Sequence, residues 1–513
     1  MTLRTAGRCV AAVFLCLTLL TLLSCRSPAP HPPLSAPLSQ ASASSPTLLI
    51  IPWPKHVHLS NTNLRLSSGV PLVTRLGAAP LDHLAVLSVG SELKRLGIPP
   101  DRKKTGGVEI VFGEPAKVPS IARMLRDAGV KPCSHAEGYV LLVGPHRIVV
   151  AGHDPHGTFY GAQTLCQMLD KDTHGVYAHG GTITDYPSLP WRGVHLFVGN
   201  HALPFHQKLI VSVLARLKMN NLVLQCEQAK WDTLGPGAPP WAMSKADLKA
   251  EIAFARRYGL TVTPLVNSAG HLPWLFQDPA NLPLAEDPQT PYAANVSNLA
   301  TYQKLFRLYD EVLDTFHSDT LHIGGDEVTQ RGRFPFRSIG KYPTVAAAFT
   351  AHITKLHNHL KARGVKTMLW SDMILSPGDA KDATNAPTPA QAAEMRAGLP
   401  KDTILTDWHY RVDDPFTSPL LLRRAGFGPV IGGTWAVSGN IIGFSRALTQ
   451  QHQRGLLQTT WAGYNSSEAN LKHEKRQFAA FVLAADCAWN GGTFDPKRLP
   501  YDPDKVFDRL YGQ

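Results

Sequence analysis

From Trp191 onward the chain alternates between short apolar runs and longer amphipathic stretches, and this rhythm constrains the fold more than any other feature. The apolar runs at 193–198, 221–226, 260–267, 320–325, 365–372, 403–410, 428–435 and 456–462 read as buried strands. Between them, 207–218, 245–258, 302–316, 345–363, 419–425 and 442–453 carry apolar residues at helical spacing, and a last helix is predicted over 469–488. Gly259, Gly364 and Gly455 each stand between a helix and the next strand, where a helix C-terminus favours glycine. Eight alternations in about 300 residues predict an α/β fold, a (β/α)8 TIM barrel over 190–513, rather than an open doubly wound sheet. No glycine-rich phosphate loop follows the first strand, which argues against a dinucleotide-binding fold.

Residues 48–185 mix strands and helices differently and predict a smaller α+β accessory domain. Strands at 138–144 and 147–151 are turned by Pro145 and His146, and Gly157 opens a helix whose apolar face holds Phe159, Ala162, Leu165 and Met168. No catalytic constellation is visible there. Residues 1–25 have the form of a signal peptide, with Arg4 and Arg8 before an apolar stretch over 10–23. Leu22-Leu23-Ser24-Cys25 resembles the bacterial lipobox, in which the cysteine is lipidated and becomes the new N-terminus. A plain secretory signal is the alternative. The Pro-, Ser- and Ala-rich tether over 26–47 favours the lipobox, because it suits an extended spacer. The expectation is an exported protein held in the cell envelope, at the outer membrane or in the periplasm, by a lipid anchor on Cys25.

Hydrophobic residues make up 44% of the 513 and charged residues 18%, which marks a mostly globular chain. The net charge of +12 is spread along the length with no dense basic run among aromatics, so no nucleic-acid partner is expected. Attraction to anionic cell-surface polymers fits the same charge. Cys25, Cys133, Cys166, Cys226 and Cys487 remain beyond the signal's apolar stretch, with no metal-ligand spacing, and read mostly as buried thiols.

A barrel of this kind builds its active site at the C-terminal ends of its strands. Those ends hold Phe197 and Asn200, Gln225 and Glu227, Asn267 and His271, Asp326 and Glu327, Trp370 and Asp372, Asp407, Trp408 and Tyr410, Trp435, and Trp461. Each tryptophan alone reads equally well as core. Four at equivalent positions with acids between them suit a pyranose, which offers an apolar face and a ring of hydroxyls. The sharpest signal is Leu321-His322-Ile323-Gly324-Gly325-Asp326-Glu327. Two glycines let the strand bend so that adjacent acids enter one pocket, where neighbouring carboxylates push their pKa values apart. The alternative is a helix N-terminus that favours acids electrostatically.

The segment from His322 to Glu327 resembles the His-x-Gly-Gly-Asp-Glu signature of family 20 glycoside hydrolases, the β-N-acetylhexosaminidases. Ile51-Pro52-Trp53-Pro54 and the stretch 157–167 resemble that family's accessory domain. Trp191-Arg192-Gly193, Lys218-Met219-Asn220 and Gly270-His271 resemble the openings of its first two barrel strands and its third-strand Gly-His. The resemblance implies substrate-assisted retention, with Glu327 as general acid and base and Asp326 stabilising the substrate's 2-acetamido group. It also implies that Arg192 holds sugar hydroxyls, that Trp370, Trp435 and Trp461 enclose the sugar, that Tyr410 bonds the acetamido oxygen, and that His271 orients Glu327. The chain departs from the family pattern at Phe197, Asn200 and His201, at Val223 and Gln225, and at Gly463. Glu227 or Asp372 is expected to stand in for the acids missing there.

Three activities follow from these residues: an N-acetylhexosaminidase, the same scaffold acting on another glycoside, and a surface carbohydrate-binding protein without catalysis. The acid pair favours an enzyme. None of the 22 histidines has zinc-protease spacing, so neither metal nor other cofactor is expected.

Overall fold

The computed structural model describes residues 48–66, 72–74, 79–100, 108–495 and 498–512. The signal segment, Cys25 and the tether lie outside the described residues.

Eight parallel strands close into a barrel: Trp191–Phe197, Asn221–Gln225, Thr261–Leu265, Thr320–His322, Lys366–Trp370, Ile404–Trp408, Ile431–Thr434 and Gly455–Gln458. The first and last pair in parallel, with Arg192 opposite Leu456, so no edge is left open. Val223, Leu265, Met368, Trp370, Ile431 and Leu457 point inward and fill the barrel. The other strand faces pack against surrounding helices, among them Lys245–Arg257, Leu299–Phe316 and Val345–Ala362.

Several elements differ from expectation, among them a C-terminal helix, Pro503–Tyr511. The helix expected over 207–218 starts earlier, at Ala202–Leu209, and widens into a π turn at Ile210–Leu214. The last predicted helix is two, Glu468–His473 and Lys475–Asn490. A helix the pattern did not reveal, Pro389–Gly398, follows the fifth strand; it buries only Ala392 and Met395, so its periodicity is faint.

The accessory domain holds a six-stranded sheet between helices and a separate three-stranded sheet. Successive residues alternate faces as a pleated strand requires: Ile110, Phe112, Leu141 and Val150 pack under helices Pro80–Arg95 and Pro155–Met168, while Val111, Val140 and Val149 meet Pro119–Asp127. Trp489, from the long barrel helix Lys475–Asn490, is buried in the accessory core and gives its indole N–H to Asp185, 2.9 Å away. Lys218, also fully buried, places its ammonium 3.2 Å from Asp185 and 4.4 Å from the Trp489 ring centre. The two domains therefore share one buried polar seam, beside the starts of the first two barrel strands. Cys133, Cys166, Cys226 and Cys487 are buried free thiols.

Candidate active site

The fourth barrel strand ends at His322, and the chain then turns into the barrel mouth. Gly324 and Gly325 take positive φ values of 69° and 92°. A Cβ on Gly324 would sit 1.9 Å from Asn267 Oδ1, and one on Gly325 2.4 Å from Leu369 Cδ1, so glycine is required twice over. This bend delivers Asp326 and Glu327 to the same side of the site. Both carboxylates lie 3.3 Å from one atom, Nε2 of His271. Burial works against a charge on His271, but the charge of Asp326 and contacts with both acids outweigh it and raise its pKa to about 10. The charged imidazole so favoured lies within ion-pair distance of both acids, although its Nε2 makes a hydrogen bond of good geometry with neither. Tyr292 packs its ring 5.2 Å from that of His271. Asp326 Oδ1 and the Tyr292 hydroxyl are buried without a hydrogen-bond partner among the described residues, so both keep unused hydrogen-bonding capacity beside His271.

Glu327 itself has φ of 50°, a left-handed conformation uncommon for a side chain of this size. Its N–H donates to Asp372 Oδ2 at 2.9 Å, and Asp372 also accepts from Asn385 Nδ2 at 2.8 Å and Trp408 Nε1 at 3.1 Å. Burial, reinforced by the charge of Asp326, raises the Asp372 pKa to about 7.

Opposite the acids stands an aromatic wall. Trp370 is the floor, buried, with its ring centre 4.5 Å from His322 and 6.2 Å from Trp461. Trp408, Tyr410 and Trp435 continue the wall, with centres 4.8 and 5.9 Å apart in sequence. Trp461 donates its indole N–H to the Tyr410 hydroxyl at 2.9 Å, and Trp435 donates to Gln477 at 3.0 Å. His322 is fully buried; its Nδ1 accepts the Gly324 N–H, and burial lowers its pKa to about 3, so it is a neutral core residue.

Residues 47–186 match the model for glycosyl hydrolase family 20, domain 2, and residues 237–411 that for the family 20 catalytic domain, together more than half of the chain. The chain belongs to glycosyl hydrolase family 20. Among its relatives, a lacto-N-biosidase of Bifidobacterium bifidum is 26% identical over 264 residues, 49% of this chain and 24% of that one. A β-hexosaminidase of Akkermansia muciniphila is 28% identical over 238 residues, 40% of this chain and 48% of that one. The alignments thus span less than half the length of these two relatives. The fold matches a Flavobacterium johnsoniae chitobiase with TM-score 0.67 at 16% identity, over 90% of this chain and 72% of that one. It also matches the Streptomyces plicatus N-acetyl-β-hexosaminidase with TM-score 0.64 at 20% identity, over 90% and 94%.

Three site expectations change in this family 20 member. Arg192 lies at the start of its strand, at the opposite end of the barrel from the acids. It is fully buried, donates to the carbonyls of Lys218 and Leu189, and pairs with Glu137 of the accessory domain at 2.7 Å. It therefore binds no sugar and belongs to the domain seam. Glu227 is buried and already accepts from the Tyr464 hydroxyl at 2.5 Å, the Asn267 N–H at 2.9 Å and Gln225 Nε2 at 3.2 Å. Asp372 is likewise buried, with both oxygens taken by protein donors. Neither acid is left to hold a hydroxyl; each fixes the loops around the site.

Sequence reading overlooked Tyr292, Asn385 and Tyr464, which lie in loops without periodicity. It also overlooked Asp382, which accepts the Tyr410 and Arg411 N–H groups and lies 2.8 Å from His409 Nδ1. Only Tyr464, three residues beyond Trp461 at the last strand's rim, carried a positional signal.

Proposed function

We propose that the protein removes terminal β-linked N-acetylhexosamine, GlcNAc or GalNAc, from a glycan by substrate-assisted retaining catalysis. One observation carries this reading: Asp326 and Glu327 gather around a single imidazole nitrogen at the mouth of an aromatic-walled barrel. In the two-carboxylate retaining scheme, acid and nucleophile flank the scissile bond about 5–5.5 Å apart. Here both acids converge on one hub, which suits a nucleophile supplied by the substrate. Glu327, the more exposed of the two, protonates the leaving oxygen. Asp326 orients the 2-acetamido group and stabilises its positive charge as the acetamido oxygen attacks the anomeric carbon. Water, deprotonated by Glu327, then opens the oxazolinium intermediate. The names of the hexosaminidase relatives support the same substrate class.

The test is release of nitrophenol from 4-nitrophenyl N-acetyl-β-glucosaminide and galactosaminide, with the β-anomer as first product by NMR. A folded protein inactive on both would sink the proposal.

We also propose that the enzyme works in the cell envelope, lipid-anchored through Cys25, on the strength of the lipobox-like segment and the tether behind it. Fractionation of a bacterial host should find the wild type with membranes and Cys25→Ala in the soluble exported fraction. An unchanged distribution would refute the anchor.

A further inference from the structure

The loop from Val328 to Thr344, which continues directly from the acid Glu327, carries Arg331, Arg333, Arg337 and Lys341 and no acidic residue. Two of these charges are engaged. Arg333 pairs with Asp287 at 2.8 Å and lays its guanidinium over Phe336, 3.4 Å from the ring centre. Arg337 donates to the carbonyls of Pro283 and Ala285.

Arg331 is different. A tight turn, closed by the Gln330 N–H donating to the Glu327 carbonyl at 2.9 Å, sets it at the lip of the site. Gly332 fixes the next step: its φ is 70°, and a Cβ there would lie 2.7 Å from the Thr290 carbonyl oxygen. The Arg331 guanidinium rests 5.9 Å from the ring centre of Tyr292, the tyrosine that packs on His271. It is exposed and makes no ion pair or hydrogen bond with any described residue. The acid pair does not need its charge, because His271 already stands 3.3 Å from both carboxylates.

We propose that Arg331 is the anion-binding element of the aglycone subsite, so that the preferred leaving group carries a carboxylate or sulfate. The inference rests on the hexosaminidase reading of the acid pair. The acid that protonates the leaving oxygen marks the side on which the leaving group lies, and Arg331 is a cation without an ion pair among the described residues that stands on that side, beside the tyrosine that packs on His271. A guanidinium offers two parallel N–H donors to a planar or tetrahedral oxyanion. The exposed ring of Phe336, stacked under Arg333, adds an apolar platform of the kind sugar rings use.

The experiment compares three disaccharides in which GlcNAc is β-linked to glucose, to glucuronic acid or to 6-sulfoglucose. For the full-length protein, kcat/KM for at least one anionic arm should exceed that for the neutral arm by about fivefold at low salt, the size an exposed charge pair supports. The two anionic arms tell carboxylate from sulfate. The advantage should shrink with added salt and fall to about onefold in Arg331→Gln. Arg126→Gln, which removes the same charge from an exposed helix of the accessory domain, should keep it. A wild-type ratio near one, or a ratio that survives Arg331→Gln, overturns the proposal. Affinities of the three disaccharides for Glu327→Gln read the same ratio without turnover. Anion-selective binding without wild-type hydrolysis would defeat the hexosaminidase reading alone; hydrolysis without selectivity would defeat the role of Arg331 alone.

Discussion

Asp372 holds Glu327 by its backbone: the Glu327 N–H donates to Asp372 Oδ2 at 2.9 Å across the gap between the fourth and fifth strand ends. Glu327 is thus kept in a left-handed conformation, φ 50°, that is uncommon for a side chain of its size. The same carboxylate ties down Asn385 and Trp408. Asp372→Asn keeps the shape but weakens a charge-assisted bond worth about 1.5–3 kcal/mol. Measured by steady-state kinetics, kcat should fall by about tenfold or more with KM little changed. A rise in KM alone would instead assign Asp372 to the sugar.

Asp372 also gives a pH signature. Its pKa in the fold, raised to about 7, lies above its value in the unfolded chain, so the folded state binds the extra proton. Its contribution to stability therefore declines as pH rises from about 4 to about 7 and is constant above. Denaturant titrations of wild type and Asp372→Asn should diverge in that window, with the variant lacking this decline. Parallel curves would show that the group does not titrate there.

Glu327→Gln removes the proton donor of the proposed mechanism and leaves the aromatic wall intact. General acid catalysis contributes about 10²–10⁴-fold, and its loss matters most where the leaving group is poor. Turnover of an alkyl or sugar aglycone should fall by that factor, while a dinitrophenyl glycoside should be far less affected. Equal losses on both would indicate a role other than protonation.

Much of this was legible in the chain because buried parallel strands are written as short, largely apolar runs, and the eight observed strands all overlap such runs. The acid pair was legible because it follows an apolar run and two glycines at the end of a strand where a barrel builds its active site. Arg192 shows what resemblance alone obscures. It precedes the apolar run of its strand, whereas the catalytic rim follows the run, so strand polarity already placed it at the wrong end for a sugar. Asp372 and Glu227 lie near the mouth as expected, but their partners, Asn385 and Tyr464, come from loops 13 and 237 residues away. No local pattern encodes whether a rim carboxylate faces substrate or is consumed by its neighbours.

Arg192 supplies a test of that correction. Breaking a buried ion pair by removing one partner costs about 3–5 kcal/mol. Arg192→Gln should therefore lower the unfolding midpoint markedly and leave KM for an aryl glycoside unchanged in the protein that remains folded. A large KM increase with unchanged stability would return Arg192 to the sugar site.

An alkaline sensitivity of the fold should come from His409. It is buried between two acids, 2.8 Å from Asp382 and 3.4 Å from Asp407, and adjoins Tyr410 at the end of the sixth strand. Burial disfavours its charge, but Asp407 and Asp382 prevail and raise its pKa to about 10. A histidine whose folded pKa lies above its unfolded value of 6.5 stabilises the fold fully below that value, and the benefit is lost as pH rises toward 10. Because Asp382 also accepts the N–H groups of Tyr410 and Arg411, loss of the imidazolium loosens the tyrosine that anchors Trp461. Wild-type stability should therefore decline between about pH 6.5 and 10, and in His409→Gln this decline should be smaller, on a lower baseline. His271 titrates over the same range, so a residual slope in the variant is expected; double substitution with His271→Gln should reduce it further. An unchanged slope in both variants would mean that neither imidazole carries the charge its carboxylate neighbours imply.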